Sequence, residues 1–154
     1  MITLLKNIFF FSLFIILLTN CNSKENKEVF IIPENFQGKV IVFYQTSSTY
    51  KDYKQNHRKI VYNVPYNGVI SIPFNVSDIT SLEFKDYKAN DIKFAEKELD
   101  NEKINIADIR KGYLFLESVQ VKYTSFYVGK KDFINNLDSI DSEEYLKSKY
   151  KSIN

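Results

Sequence analysis

Tryptophan is absent from the chain, and cysteine, histidine and methionine each occur once in 154 residues. A single cysteine excludes an internal disulfide framework and any Cys-x-x-Cys redox or zinc motif. His57, the one histidine, removes most metal centres and nucleophile–base triads, which draw on several His or Cys ligands or on a paired base. The four glycines form neither a phosphate-cradling loop nor a Gly-x-Ser-x-Gly elbow, and no Asp-x-Asp-x-Asp-Gly calcium loop is present. No cofactor or metal is therefore expected. Neither sign of charge dominates: 21 Lys and Arg against 19 Asp and Glu leave a formal +2. That balance gives no basic face for nucleic acid. With three prolines, four glycines, 13 Phe and 11 Tyr, the composition is that of a folded, aromatic-rich domain.

The N-terminus holds the longest apolar run. Met1 and Lys6 supply a positive start, and Ile8 to Leu18 is almost wholly apolar. A membrane span needs about 20 such residues, so the segment reads as an export signal that is removed. Leu18-Thr19-Asn20-Cys21 resembles the lipobox of bacterial lipoproteins, although Asn20 stands where that pattern usually has Gly, Ala or Ser. The resemblance implies diacylation of the Cys21 thiol, cleavage just before it and acylation of the new amine. The other reading is an ordinary signal peptide followed by a free or buried thiol, but a lone exported cysteine without a partner is better explained by acylation. Two or three acyl chains, at about 0.8 kcal/mol per buried methylene, anchor a protein stably. The expected organisation is a signal peptide over residues 1–20, a lipidated and solvated tether over 21–28, a β domain over 29–130 and a helical tail over 131–154. The protein would be anchored to a bacterial membrane without spanning it. By analogy with lipoprotein sorting, Asn22 rather than Asp after the cysteine points to the outer membrane.

From Val29 onward, short β-branched and aromatic runs alternate with polar turns, as in an all-β sandwich or barrel. Val29–Ile32 and Lys39–Tyr44 are the first two runs, and Ile60–Val64 is expected to pair with Val69–Phe74 across Pro65-Tyr66-Asn67-Gly68, a turn with hairpin chemistry. Ser81–Lys85 is another strand, and Tyr113–Val128 one bent strand or two. Asp91–Ala107 carries both helical and strand spacing, and a hairpin turning near Asp100-Asn101 is the favoured reading. Phe133, Leu137, Ile140, Tyr145, Leu146 and Tyr150 suggest helical turns, with Asp141 or Ser142 capping Glu143-Glu144. The fold expected is mainly β: an antiparallel β-sandwich, immunoglobulin-like or transthyretin-like, with a short C-terminal α-helical tail.

Ile32-Pro33-Glu34-Asn35-Phe36-Gln37-Gly38-Lys39-Val40 resembles the Ile-Pro-Glu-Gly-Tyr-x-Gly-x-Val motif of a family of uncharacterised bacterial lipoproteins and envelope proteins. Tyr62–Ile70 is similar to that family's aromatic-x-Ile-Pro-x-Asn-Gly-Ile segment, and Phe126-Tyr127-Val128-Gly129 to its late strand end. Asn35 departs from the usual Gly. The resemblance implies a β fold and an envelope location, with no activity attached.

Candidate functional residues are few. The polar stretch Gln45–Arg58 could present Tyr50, Tyr53, His57 and Arg58 as an adaptable binding surface for a protein or glycan; the plainer reading is a hairpin tip with incidental tyrosines. Glu34 is most simply a solvated turn carboxylate, and the run Glu96–Lys103 a solvated hairpin. The expected function is a non-catalytic, membrane-tethered binding or scaffolding module of the envelope. The alternative is a small carboxylate-dependent hydrolase, which needs two carboxylates held across a cleft, or a carbohydrate-binding lipoprotein, for which the lack of Trp removes the largest stacking surface.

Overall fold

The computed structural model describes residues 26–46, 53–56, 59–74, 76, 79–95, 98–117, 119–136 and 142–153. Strands β1 (Asn26–Ile32), β2 (Gly38–Tyr44), β3 (Tyr53–Asn56), β4 (Lys59–Asn63), β5 (Val69–Ile72), β6 (Ile79–Asp86), β7 (Asp91–Ile92), β8 (Asn105–Leu116) and β9 (Val119–Gly129) are followed by helices α1 (Lys131–Asn135) and α2 (Glu143–Lys151). The strands form two sheets, β3-β4-β1-β6-β7 and β5-β2-β9-β8. Among the described residues neither closes into a barrel.

The sheets face one another across a single core. Phe30 and Phe84 of the first sheet meet Phe126 of the second edge-on, with ring centroids 5.0 and 4.9 Å away. Val40, Val42, Ile70, Ile72, Ile106 and Val128 fill the layer from the other side. Such offset and T-shaped aromatic pairs add about 0.5–1.5 kcal/mol each beyond area burial. Strand β2 alternates between two cores: Val40 and Val42 point inward, whereas Ile41 and Phe43 join Leu114, Val121 and Leu146 on the outer face. Helix α2 covers that face, which explains why Val40–Tyr44 is an unbroken apolar run rather than an alternating one. Ser142 caps α2 by accepting from the Tyr145 amide at 3.2 Å, and Glu143 and Glu144 occupy its first turn. The C-terminal helix is thus a packed layer, capped where the sequence indicates.

Three expectations need correction. First, the sheets are mixed, not antiparallel: β1 runs parallel to both β4 and β6, and β2 parallel to β5. The reason is the second correction. β4 and β5 are not a hairpin pair; they lie in different sheets, and Pro65–Gly68 is an arch between layers. It closes on itself through the Gly68 amide to the Pro65 carbonyl at 2.8 Å, but Val64 donates to Ile31 and Ile41 to Gly68, so each flank pairs with the neighbouring arch. That neighbour is Pro33–Gln37, which carries β1 to β2. Because each arch leaves the first sheet and enters the second at the same end, strands arriving in either sheet run in the same direction. Parallel pairing follows, unlike the antiparallel sheets of an immunoglobulin domain. Third, Asp91–Ala107 is not a hairpin. β7 pairs back onto β6, Phe94 bridges Ile106 in parallel, and the turn at Asp100 leads on into β8.

The first strand also starts earlier than its apolar residues suggest. Asn26, Lys27 and Glu28, read as tether, belong to β1, and Glu28 is fully buried. Tyr113–Val128 resolves into two strands, β8 and β9, paired down to Leu116 and Val119. Phe133 lies in α1, while Leu137, Ile140 and Asp141 lie outside the described residues.

Candidate functional site

Of the residues singled out in the sequence, Cys21, Tyr50, His57 and Arg58 lie outside the described residues. Tyr53 opens β3, and its ring packs edge-on against Phe74 at 5.3 Å on the margin of the core.

The structure gathers chemistry elsewhere, at the end where the arches lie. Glu34, in the first arch, accepts a hydrogen bond through Oε1 from the Tyr87 hydroxyl at 2.6 Å, and its carbonyl accepts from the Tyr66 hydroxyl at 3.4 Å. Tyr66 is 75% exposed and Tyr87 46%. Lys88 Nζ stands 5.2 Å above the Tyr87 ring. The two tyrosines thus sit at a solvent rim, their hydroxyls bonded to Glu34 and their rings partly exposed. Glu34 remains the exposed turn carboxylate expected of it, with a tyrosine partner the sequence does not reveal.

Beside this rim a groove follows the open edge where the sheets part. Its upper portion, ≈ 720 Å³, is lined by Asp86 and Asn90, by Asp91 to Ala95 and by Glu98, Asp100, Lys103 and Asn105. A lower portion, ≈ 580 Å³, shares Asp91, Ile92 and Phe94 and continues past Lys85 and Ile109 to Lys111. The groove has an apolar floor and charged walls of both signs. It exists because β7 is only two residues long and leaves the sandwich edge uncovered. On the opposite wall, a register shift in β8 between Ala107 and Arg110, with Asp108 at φ 51° and paired to Arg110 at 2.8 Å, twists and charges the exposed strand. Both devices discourage strand-on-strand association.

Its carboxylates are largely committed. Asp86 accepts from the amides of Lys88 and Asn90 and from the Asn90 side chain, and those bonds, the Asn90 side chain foremost, hold its pKa below the usual carboxylate value. Asp100 accepts from the Glu102 and Lys103 amides, which lower its pKa likewise. Asp91 pairs with Lys85 at 2.5 Å. Asn105 clamps this wall by bonding the backbone of Asp100 at both its amide and its carbonyl. A general acid at neutral pH needs the opposite shift, upward.

One carboxyl is shifted upward, but it is sealed inside. Glu28 accepts from the hydroxyls of Tyr62 at 2.8 Å and Tyr44 at 3.0 Å, and Tyr44 also meets Thr124 Oγ1 at 3.0 Å. Burial raises the Glu28 pKa, opposed by the two tyrosines and by Lys111 and Lys122. Leu82 and Lys111, which line the lower groove, adjoin it, but Glu28 itself is fully buried behind them and belongs to the core. Nothing in the Glu28 pattern marked it beforehand, since it follows a wholly polar segment.

Among the described residues, no group of three or more His, Cys, Asp or Glu comes together as metal ligands. Fold and site together define a two-layer mixed β domain, backed by a helix and open along one edge. No family model and no curated protein matches the chain. A crystal structure described as a "putative lipoprotein" from Bacillus anthracis is similar over 82% of this chain and 92% of that one, with a TM-score of 0.50 and 13% identity. At that identity the likeness is one of fold.

Proposed function

We propose that this chain is an exported bacterial lipoprotein whose β domain, held to a membrane through acyl chains on Cys21, binds another envelope component without catalysis. The observation that carries the reading is the lone cysteine at the close of an apolar N-terminal run, five residues ahead of the first strand. The fold likeness to a protein described as a lipoprotein supports it. In a two-membrane bacterium, Asn22 directs the anchor to the outer membrane. The recognition surface is the tyrosine rim of Tyr66 and Tyr87 with the adjoining groove: rigid amphipathic aromatics beside fixed hydrogen-bonding groups suit a protein surface or a glycan.

A second reading, a carboxylate-dependent hydrolase, draws on the four groove carboxyls of Asp86, Asp91, Glu98 and Asp100. It is the weaker because two of them serve as turn acceptors and a third is ion-paired. The test is crosslinking and capture of the tagged full chain from its native cells, with Cys21→Ala and Tyr66→Ala/Tyr87→Ala variants alongside. One envelope protein or glycan lost from the tyrosine variant supports the binding module. Unchanged membrane fractionation of Cys21→Ala refutes the anchor, and turnover of envelope glycan abolished by Asp91→Asn or Glu98→Gln favours the hydrolase.

A further inference from the structure

The end of the sandwich opposite the tyrosine rim carries a feature that the binding reading leaves unused. Strand β2 pairs with β9 only as far as Phe43 and Tyr123, yet β8 and β9 continue together through Tyr113 with Lys122, Phe115 with Gln120 and Leu116 with Val119. This overhang is a finger. Its outer face is held down, with Leu114 and Val121 buried beneath α2 alongside Leu146. Its inner face holds Lys111, Tyr113 and Phe115, since alternate residues share a face and Lys111 lies opposite the buried Thr124. Tyr113 is 57% exposed, Phe115 63% and, at the tip, Val119 51%. Three large apolar side chains in open water at a hairpin end mark a contact surface.

The chain's own path indicates what covers it. Glu28 meets Tyr44, and Tyr44 meets Thr124, so β1 starts at the finger's end of the molecule. Asn26 lies two residues before Glu28, about 7 Å nearer that end, and Phe115 with Gln120 lies four residues beyond Thr124, about 13 Å. Cys21 precedes Asn26 by five residues, a reach of at most about 17 Å. An acylated Cys21 and the finger tip can therefore occupy one plane. Charge at this end agrees: Lys27, Lys59, Lys111 and Lys122 outnumber Glu28, Glu83 and Glu117, with Lys27 and Glu83 paired at 2.7 Å and Glu28 buried. A tyrosine and phenylalanine flanked by lysines suit the headgroup region of an anionic bilayer.

The geometry points to a second membrane contact: Tyr113, Phe115 and Val119 insert into the interface of the same leaflet that holds the Cys21 acyl chains. The finger fixes the domain upright and holds the tyrosine rim away from the lipid. This rests on the lipoprotein reading above, because acylation supplies the proximity.

The absence of native tryptophan makes the test clean. Phe115→Trp and, at the other end, Tyr66→Trp are introduced singly into the full chain, produced in a lipoprotein-processing bacterium and reconstituted into phosphatidylglycerol/phosphatidylcholine vesicles with or without brominated acyl chains. Intact mass reports acylation independently. The expected result is a blue shift and bromolipid quenching for Phe115→Trp and neither for Tyr66→Trp, with Tyr113→Asp reducing the quenching while a far-UV spectrum shows the fold intact. Acylated protein in which Phe115→Trp is no more quenched than Tyr66→Trp overturns the membrane contact and leaves the anchor standing; so does crosslinking of the finger to a protein instead of lipid. An unacylated mass refutes the anchor, and quenching of Phe115→Trp in that protein would show that the finger binds lipid by itself.

Discussion

Glu28 offers the sharpest test of the core. It is a fully buried carboxyl held by Tyr62 and Tyr44, with Lys111 and Lys122 close enough to favour its charge and burial disfavouring it more strongly. Glu28→Ala takes an acceptor from two buried hydroxyls, costing about 1–3 kcal/mol, and removes a buried methylene and carboxyl, adding roughly 1 kcal/mol of lost burial and cavity. A total of about 3 kcal/mol lowers Tm by roughly 10 °C in a domain of this size. Glu28→Gln keeps an acceptor in place and cannot ionise, so it separates geometry from charge. Because burial raises the folded pKa above the ordinary 4.5, the native state retains a proton that the unfolded chain has already lost. Wild-type stability therefore falls as pH rises from 4.5 through the raised folded pKa, and is fully retained below 4.5. Glu28→Gln should match the wild type at the acidic side and exceed it above that window. The assay is urea unfolding followed by far-UV circular dichroism at about pH 4 and about pH 8. A Glu28→Ala variant within about 0.5 kcal/mol of the wild type at both values, or a Glu28→Gln variant with the wild-type pH slope, refutes the reasoning.

Four further expectations follow from the arches, the sheet face and the tail. A Cβ on Gly68, at φ 71°, would stand 2.1 Å from the Lys39 carbonyl oxygen, so Gly68→Ala should cost at least about 2 kcal/mol by urea midpoint. Asn35 sits at φ 60°, where Asn35→Ala should cost about 1 kcal/mol and Asn35→Gly stay within about 0.5 kcal/mol of the wild type. Lys39 lies over the Tyr127 and Tyr145 rings, and desolvation, with Arg110 nearby, lowers its pKa to about 8 from 10.5; the folded state sheds this proton first, so wild-type stability should rise between those values and Lys39→Met should lack that rise. Leu146→Ala should cost about 2–4 kcal/mol and shift the thermal midpoint accordingly, since Leu146 is buried against Ile41, Phe43 and Val121.

Local chemistry was legible in the sequence wherever a residue type answers to backbone geometry. Pro33 and Gly38 do bracket a turn, Asn35 takes the positive φ that Gly would take, and Ser142 caps the final helix. Pairing partners were not legible, because Pro-Tyr-Asn-Gly closes the same local hydrogen bond whether its flanks bond to one another or to separate sheets. The sequence separation of Glu28, Tyr44, Tyr62 and Thr124 hid the buried cluster, and a polar run hid the start of β1. The groove was obscured for a related reason. Its carboxylates lie in turns, where Asp and Asn are expected for backbone satisfaction, so composition cannot distinguish a turn acceptor from a ligand contact.

The arches also determine which surfaces are available for function. A chain that enters at the start of β1, crosses between layers at the far end and returns must leave its N-terminus and its arch turns on opposite ends of the sandwich. Any anchor placed ahead of Asn26 therefore pulls the finger of β8 and β9 toward the membrane and turns Tyr66, Tyr87 and the upper groove away from it. An anchor placed on the arch turns would reverse the arrangement. Helix α2 lies on the outer face of the second sheet and runs in the direction of β2, with Tyr145 by Lys39 at 5.5 Å and Tyr150 against Phe43 at 5.3 Å, so its last turn also points toward the finger's end. A Cys21→Ser chain reattached by a lipidated cysteine after Asn154 should accordingly remain membrane-bound and keep both the Phe115→Trp quenching and any partner captured through the tyrosine rim. Loss of both would mean that the end at which the anchored segment leaves the fold does not set the orientation of the molecule.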